Sequence, residues 1–171
     1  MKDSEHSPSH DLATLPESVQ LRLSQDHPAM DKTAIELIVG NWSGWPAIAH
    51  LSVGELLLES DGLLRMALWE GSNTCSALLA ARQGVLVFCG RDQLFELRFM
   101  VLAQARLETS KALRGFLLRP TLVRDKRAPY ATIISGLQFE LHDPESVRAR
   151  WTATKNALAR AFPVSNKRTS I

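Results

Sequence analysis

Apolar positions along the chain come in short bursts separated by turn-forming clusters, and most bursts repeat every second residue rather than every third or fourth. The run from Ile35 to Val39 meets Asn41-Trp42-Ser43-Gly44, and Trp45 to Leu51 leaves it, which predicts two strands around a turn. A single helical piece over 32–40 is the other reading of the first run. Glu55 to Glu59 leads into Asp61-Gly62, a strong hairpin signal. Leu63 to Trp69 follows it, apolar on both flanks, as in a strand buried on two sides. Val85 to Cys89 reads as a further strand, with Gly90-Arg91-Asp92 as its turn.

The longest alternation runs from Leu94 to Glu108. Phe95, Leu97, Phe99, Val101, Ala103, Ala105 and Leu107 are expected on one face, the core. Glu96, Arg98, Gln104 and Arg106 then share the other face with Met100 and Leu102. That face has an apolar middle, which calls for a cover such as another subunit. Phe116 to Arg124 is a strand that Pro120 pushes toward an edge or a bulge. Ala131 to Leu141 alternates again, with Ile133, Leu137, Phe139 and Leu141 inward.

Three helices punctuate the strands. Pro16, Glu17 and the apolar Val19, Leu21 and Leu23 predict a short one over about 16–25. Ser72 stands as N-cap to an Ala/Leu-rich helix over 73–83, with Gly84 as its left-handed closing residue. Asp143-Pro144-Glu145 opens a last helix whose Val147, Trp151, Leu158 and Phe162 form one stripe. Strands joined by short turns cannot form a parallel sheet, which needs long crossovers. The expected fold is mainly β: an antiparallel barrel with flanking helices, one domain over 14–163, with 1–13 a mobile leader and 164–171 a frayed tail.

Composition narrows the function classes. The chain has 171 residues, 45% hydrophobic and 22% charged, which is globular and fits one domain. A net charge of +2 demands neither nucleic acid nor an anionic membrane. Cys75 and Cys89 form no metal-ligand spacing and read as buried thiols. No signal-like or membrane-spanning apolar segment is present, so a cytoplasmic protein is expected. Phosphate-loop, dinucleotide, zinc-protease and serine-hydrolase motifs are all absent.

Leu68-Trp69-Glu70-Gly71-Ser72-Asn73-Thr74 carries the main chemical signal. It runs from a buried strand through a glycine turn into a helix N-terminus, where free N–H groups and the helix dipole favour an anion. Ser72, Asn73 and Thr74 could add hydrogen bonds to a phosphate. In the alternative, Ser72 only caps its helix and Thr74 faces water.

These residues resemble a family. LWEGSNTCSALLAARQGVLVF looks like the flavin-binding part of the pyridoxamine 5'-phosphate oxidase-like split barrels, with Ser72 and Leu78 matching that family's Ser and Leu. WPAIAHLSVGELLLESDGLLRMAL resembles the hairpin that supports the flavin ring, and Gln104-Ala105-Arg106 resembles the family's Gln-x-Arg on a long strand. The likeness covers about 34–142. It implies a six-stranded antiparallel split barrel, a homodimer with FMN at its interface, and His50, Ser52, Trp69, Ser72, Asn73, Thr74, Gln104 and Arg106 at the cofactor. A small-molecule substrate or electron acceptor would complete a flavin-dependent oxidoreductase.

The sequence departs from the family where charge matters. Asn73 and Thr74 replace a basic pair, and no Arg or Lys occurs from 40 to 64. Arg65, Arg82, Arg98 and Arg106 are the candidates to compensate. The oxidases' substrate residues have no counterpart near the C-terminus, which argues against pyridoxal phosphate synthesis. His50 reads either as a hydrogen-bonded core histidine or as a neighbour of the flavin. The alternative function is a non-catalytic ligand-binding or regulatory split-barrel module that has lost FMN or takes another cofactor such as haem.

Overall fold

Alternating apolar residues draw the middle of the chain into a single antiparallel sheet. The computed structural model describes residues 15–23, 32–90, 93–126 and 129–164; the leader 1–13, the turn residues 91–92 and nearly all of the tail lie outside them. The elements are α1 (Glu17–Leu23), β1 (Ile35–Val39), β2 (Ala47–Leu51), β3 (Leu56–Leu58), β4 (Leu64–Trp69), α2 (Asn73–Ala81), β5 (Gln83–Gly90), β6 (Gln93–Arg106), β7 (Leu113–Asp125) and α3 (Pro144–Ala161). The seven strands lie in the order β2-β1-β5-β6-β7-β4-β3, every pairing antiparallel. Seven strands stand where six were expected. α2 packs against β1, β2, β4 and β5, so it fills the concavity of a half-barrel whose two ends curl toward it.

The main core is the lining of that half-barrel, from Ile35 and Leu37 through Leu86, Phe95, Leu97 and Phe99 to Phe116 and Leu118, joined by Cys75 and Leu78 of α2. A second apolar cluster lies on the other side of the sheet, where Leu57, Ala67 and Leu107 meet Ala157, Leu158 and Phe162 of α3. Of the strand 63–69, β4 is buried on both faces as its sequence indicates: Met66 serves the first core and Ala67 the second.

β6 serves both cores by means of a bulge, and here the sequence expectation is corrected. Val101 pairs with Leu118, but Ala103 pairs with Leu117, leaving Leu102 as the extra residue. The parity of the strand therefore flips. Phe95, Leu97, Phe99 and Val101 point into the half-barrel, whereas Ala103 and Ala105 turn to the α3 cluster with Leu107. Gln104 and Arg106 consequently do not share a face with Met100; Gln104 pairs with Phe116, on the half-barrel side. A second shift, between Arg98 and Phe99, leaves Thr121 of β7 unpaired beside Pro120, the bulge that the proline signalled.

Arg82 holds the Leu102 bulge. It, not Gly84, is the left-handed residue that ends α2, at φ 55°, with its N–H on the Leu78 carbonyl. Its guanidinium donates to the carbonyls of Val101 (3.0 Å) and Leu102 (3.3 Å), and its own carbonyl accepts from Val101 N–H at 2.9 Å. Gly84 is instead part of β5, where a β-carbon would lie 2.8 Å from Phe99 Cζ.

α3 forms as its sequence predicts. The Asp143 carboxylate caps it by accepting from Ser146 N–H at 3.2 Å, Pro144 occupies its first turn, and Trp151, Leu158 and Phe162 are buried. Its other end is fixed by Arg65, fully buried on β4. That guanidinium donates to the Phe162 carbonyl from Nε (3.2 Å) and Nη2 (3.1 Å) and to both carboxylate oxygens of Asp61 (2.6 and 2.7 Å). Lys155 of α3 is buried as well.

Residues 131–141 do not form a strand. β1 already has β2 and β5 on its two edges, so the segment finds only a bridge from Gln138 to Thr33, with Phe139 N–H on the Lys32 carbonyl at 2.9 Å. Phe139 and Leu141 still pack against the core, while Leu137 is half exposed and Ile134 faces solvent.

Candidate functional site

β4 delivers the chain to α2 through the turn Trp69-Glu70-Gly71-Ser72, closed by Ser72 N–H on the Trp69 carbonyl at 3.0 Å. Glu70 N–H donates to the Ala112 carbonyl at 2.9 Å, which ties the turn to the start of β7. The Ser72 hydroxyl accepts from Cys75 N–H at 3.1 Å, so it serves as the helix cap. The first N–H groups of the helix, at Asn73 and Thr74, have no intrahelical acceptor. Asn73 is exposed; Thr74 is buried rather than facing water.

Two arginines meet this turn from neighbouring strands. β6 and β7 pair so that Arg106 lies directly opposite Arg114, a like-charge pair that is unfavourable without an anion between them. Glu70 is that anion. Its carboxylate accepts from Arg106 Nη2 at 2.9 Å and Nε at 3.3 Å, and from Arg114 Nη2. Arg114 Nη1 also donates to the Gln104 side-chain carbonyl. The hydrogen bonds from Arg106, then those from Arg114, hold the Glu70 carboxyl below its ordinary range. The cluster is close enough to α2 for the Arg114 and Glu70 charges to act on the Cys75 thiol, whose pKa is raised chiefly by burial. Cys75 is thus a protonated, inert filler at neutral pH.

The donor set fits a phosphate monoester. Two guanidinium groups against one carboxylate leave a charge of 2 − 1 = +1 beside a helix N-terminus. Arg114 Nε is buried without a hydrogen-bond partner, an orphan donor at the centre of the group. Arg114 was missed in the sequence because it lies in no recognisable motif, and Glu70, although inside the turn that carries the signal, was given no role there. The signal was the register: a hairpin turning over 107–112 sets residue 106 opposite 114.

The structure gathers Ser72, Asn73, Thr74, Gln104 and Arg106 at one end of the half-barrel. Trp69 adjoins them on the opposite face of β4, paired with Leu113 and 68% exposed. His50 and Ser52 are elsewhere. His50 is exposed on the outer face of β2, 4.0 Å from the Glu36 carboxylate, so it is not a core histidine. Ser52 is buried at the 3-10 turn Val53–Glu55, where its N–H (2.6 Å) and hydroxyl (2.5 Å) both donate to Glu55 Oε2. Arg65 and Arg98 do not reach the cluster: Arg65 is committed to Asp61 and Phe162, and Arg98 to Glu96 at 2.6 Å. Trp42 and Trp45 stand in solvent on the β1–β2 turn, and Ile48 and Met100 are more than half exposed on the outer face of the sheet. Among the described residues there is no group of three or more metal-ligating side chains and no helix long and apolar enough to cross a membrane.

No family model matches the sequence. The uncharacterized protein YclD of Bacillus subtilis (strain 168) is 29% identical over 118 residues, covering 68% of this chain and 77% of that protein. Similar solved structures include an F420 reductase (TM-score 0.46, 10% identity, 58% of this chain and 97% of that one). A putative pyridoxamine 5'-phosphate oxidase from Listeria innocua gives a TM-score of 0.46 at 8% identity, over 64% of this chain and 96% of its own. The flavin reductase PheA2 gives 0.44 at 8% identity, over 75% and 100%. The fold class itself is read from the strand order: a mainly β, antiparallel half-barrel with flanking helices.

Proposed function

We propose that this chain is an FMN-binding split-barrel protein, a flavin-dependent oxidoreductase acting as a homodimer on a small-molecule acceptor. The observation that carries the reading is the cross-strand pair Arg106–Arg114, joined through Glu70 to the turn Trp69–Ser72 that opens α2. It supplies, from β6 and β7, the positive charge that the turn itself lacks at Asn73 and Thr74. In this reading Arg106 and Arg114 hold the phosphate together with the N–H groups of Asn73 and Thr74, Gln104 orients Arg114, and Ser72 fixes the helix end they share. When bound, the flavin would supply the redox chemistry, and the chain supplies position, electrostatics and a shield from water. No residue is assigned as catalytic. Ile48 and Met100 on the exposed outer face are the surface a second subunit would cover, and His50 beside Ile48 would face that subunit.

Glu70 favours a second reading, since it already neutralises part of the arginine pair: a non-catalytic module without FMN, or one with another cofactor such as haem. Absorption spectra of the purified protein, repeated after adding FMN, FAD and haemin and removing the excess, separate the two. Retained FMN, weakened about tenfold or more in Arg114→Gln and tightened in Glu70→Gln, is the expected result. No retained flavin, or FMN affinity indifferent to both substitutions, overturns the reading; haemin uptake supports the second. Sedimentation of the protein and of Met100→Glu tests the dimer, with a monomeric parent counting against it.

A further inference from the structure

A cleft of about 490 Å³ opens between the β6–β7 turn and α3. Its outline follows from helical spacing. Arg150, Ala153 and Thr154 share one face of α3, and the small side chain at Ala153 leaves room between the helix and Leu113 opposite. Lys111 on the turn and Arg150 and Arg160 on the helix surround this space, with Glu108 as its one acid, for a lining charge of 3 − 1 = +2. Among the described residues none of these three cations is ion-paired. Thr154, in the wall of the cleft, is 5% exposed and has no side-chain hydrogen bond among the described residues, whereas its neighbour Thr152 donates to the Arg148 carbonyl at 3.0 Å.

We propose that this cleft is a binding site for a small organic anion, a carboxylate or phosphate monoester carried on an apolar body. Lys111, Arg150 and Arg160 recognise the charged head. The Thr154 hydroxyl, which makes no side-chain hydrogen bond among the described residues, donates one to it. Leu113 and Ala153 receive the apolar part. A neighbouring cleft of about 240 Å³ shares Glu108 and Arg160 and reaches Arg106, so the site adjoins the arginine pair without including Arg114 or α2. The proposal stands independently of flavin binding.

Calorimetric titration of the full chain with benzoate and with phenyl phosphate, taken to ~10 mM, tests it, with benzyl alcohol as the uncharged control. Saturable binding of at least one anion and none of benzyl alcohol is expected. The anion that binds identifies the head group. Arg150→Gln and Lys111→Gln should each weaken it about tenfold, and raising the salt should weaken it further. Thr154→Val keeps the volume and removes only the hydroxyl, which guards against variants that merely misfold. Arg119→Gln, on β7 and outside the cleft, should bind as the parent does. Failure of both anions to saturate, equal binding of benzyl alcohol, or parental affinity in Arg150→Gln and Lys111→Gln would overturn the proposal. FMN uptake measured on the same samples reports separately on the flavin reading.

Discussion

Replacing Gly54 with Ala should undock the last helix. Gly54 lies in the turn Val53–Glu55, and a β-carbon there would stand 1.9, 2.0 and 2.4 Å from Cγ, Cδ1 and Cδ2 of Trp151. Carbon atoms rest ~3.5–4.0 Å apart, so the indole must retreat by roughly 1.5–2 Å. These are atoms of a rigid ring close to its attachment, on a residue only 7% exposed, so the displacement passes to the backbone of α3. Local overpacking costs ~1–3 kcal/mol. Loss of all the indole's burial, ~150–250 Å² at ~25 cal/mol per Å², would cost ~4–6 kcal/mol. About 3 kcal/mol is therefore expected, and at ~2–4 °C per kcal/mol for a chain of this length the melting midpoint falls by roughly 6–12 °C. Differential scanning calorimetry measures it. Trp151→Leu in the Gly54→Ala background should cost less than Trp151→Leu alone, because the smaller side chain relieves the clash. A midpoint for Gly54→Ala within ~2 °C of the parent, or strict additivity of the two changes, would refute the packing described for α3.

Two further predictions concern arginines that bind backbone carbonyls. Hydrogen bonds from Arg65 hold the Asp61 carboxyl below its ordinary value of 3.8, so this pair contributes stability above that pH and loses it as pH falls through the depressed folded value. Urea midpoints from pH 7 downward should drop over that acid window in the parent, and Asp61→Asn should lose ~1.5–3 kcal/mol at neutral pH together with that part of the pH dependence. Arg82→Lys keeps the left-handed residue but removes the fork on the Val101 and Leu102 carbonyls, and should cost ~1 kcal/mol with faster amide exchange confined to the bulge; exchange unchanged there would mean the bulge holds without it.

What the sequence made legible was local. Asp61-Gly62 placed the β3–β4 turn, Ser72 and Asp143-Pro144 placed two helix starts, and Pro120 marked a bulge, because each acts through its own backbone. The Leu102 bulge left no such mark. Apolar odd positions continue unbroken from Phe95 to Leu107, and they fit two different cores equally well, so only the tertiary pairing shows where the strand turns over. The segment 131–141 failed for the opposite reason: its alternation was sound, but the edge it needed was already taken. At the site, Ser72, Gln104 and Arg106 were readable in order along the chain, whereas Glu70 and Arg114 acquire meaning only when three strands are laid side by side. His50 and Ser52, close to one another in the sequence, part company because β2 ends at Leu51: His50 is on the outer face of the strand, whereas Ser52 lies past its end in a buried turn.

The bulge at Leu102 also makes β6 behave like a message with a frameshift in the middle. Upstream of it, odd positions spell the interior of the half-barrel; downstream, the same parity spells the seat of α3. Removing this one residue would leave each half of the sentence intact in composition while reversing the sense of one half against the other. Either Phe99 and Val101 or Ala105 and Leu107 would then be read out to the wrong side. A strand of this kind tolerates exchanges of one apolar residue for another far better than it tolerates a change of length.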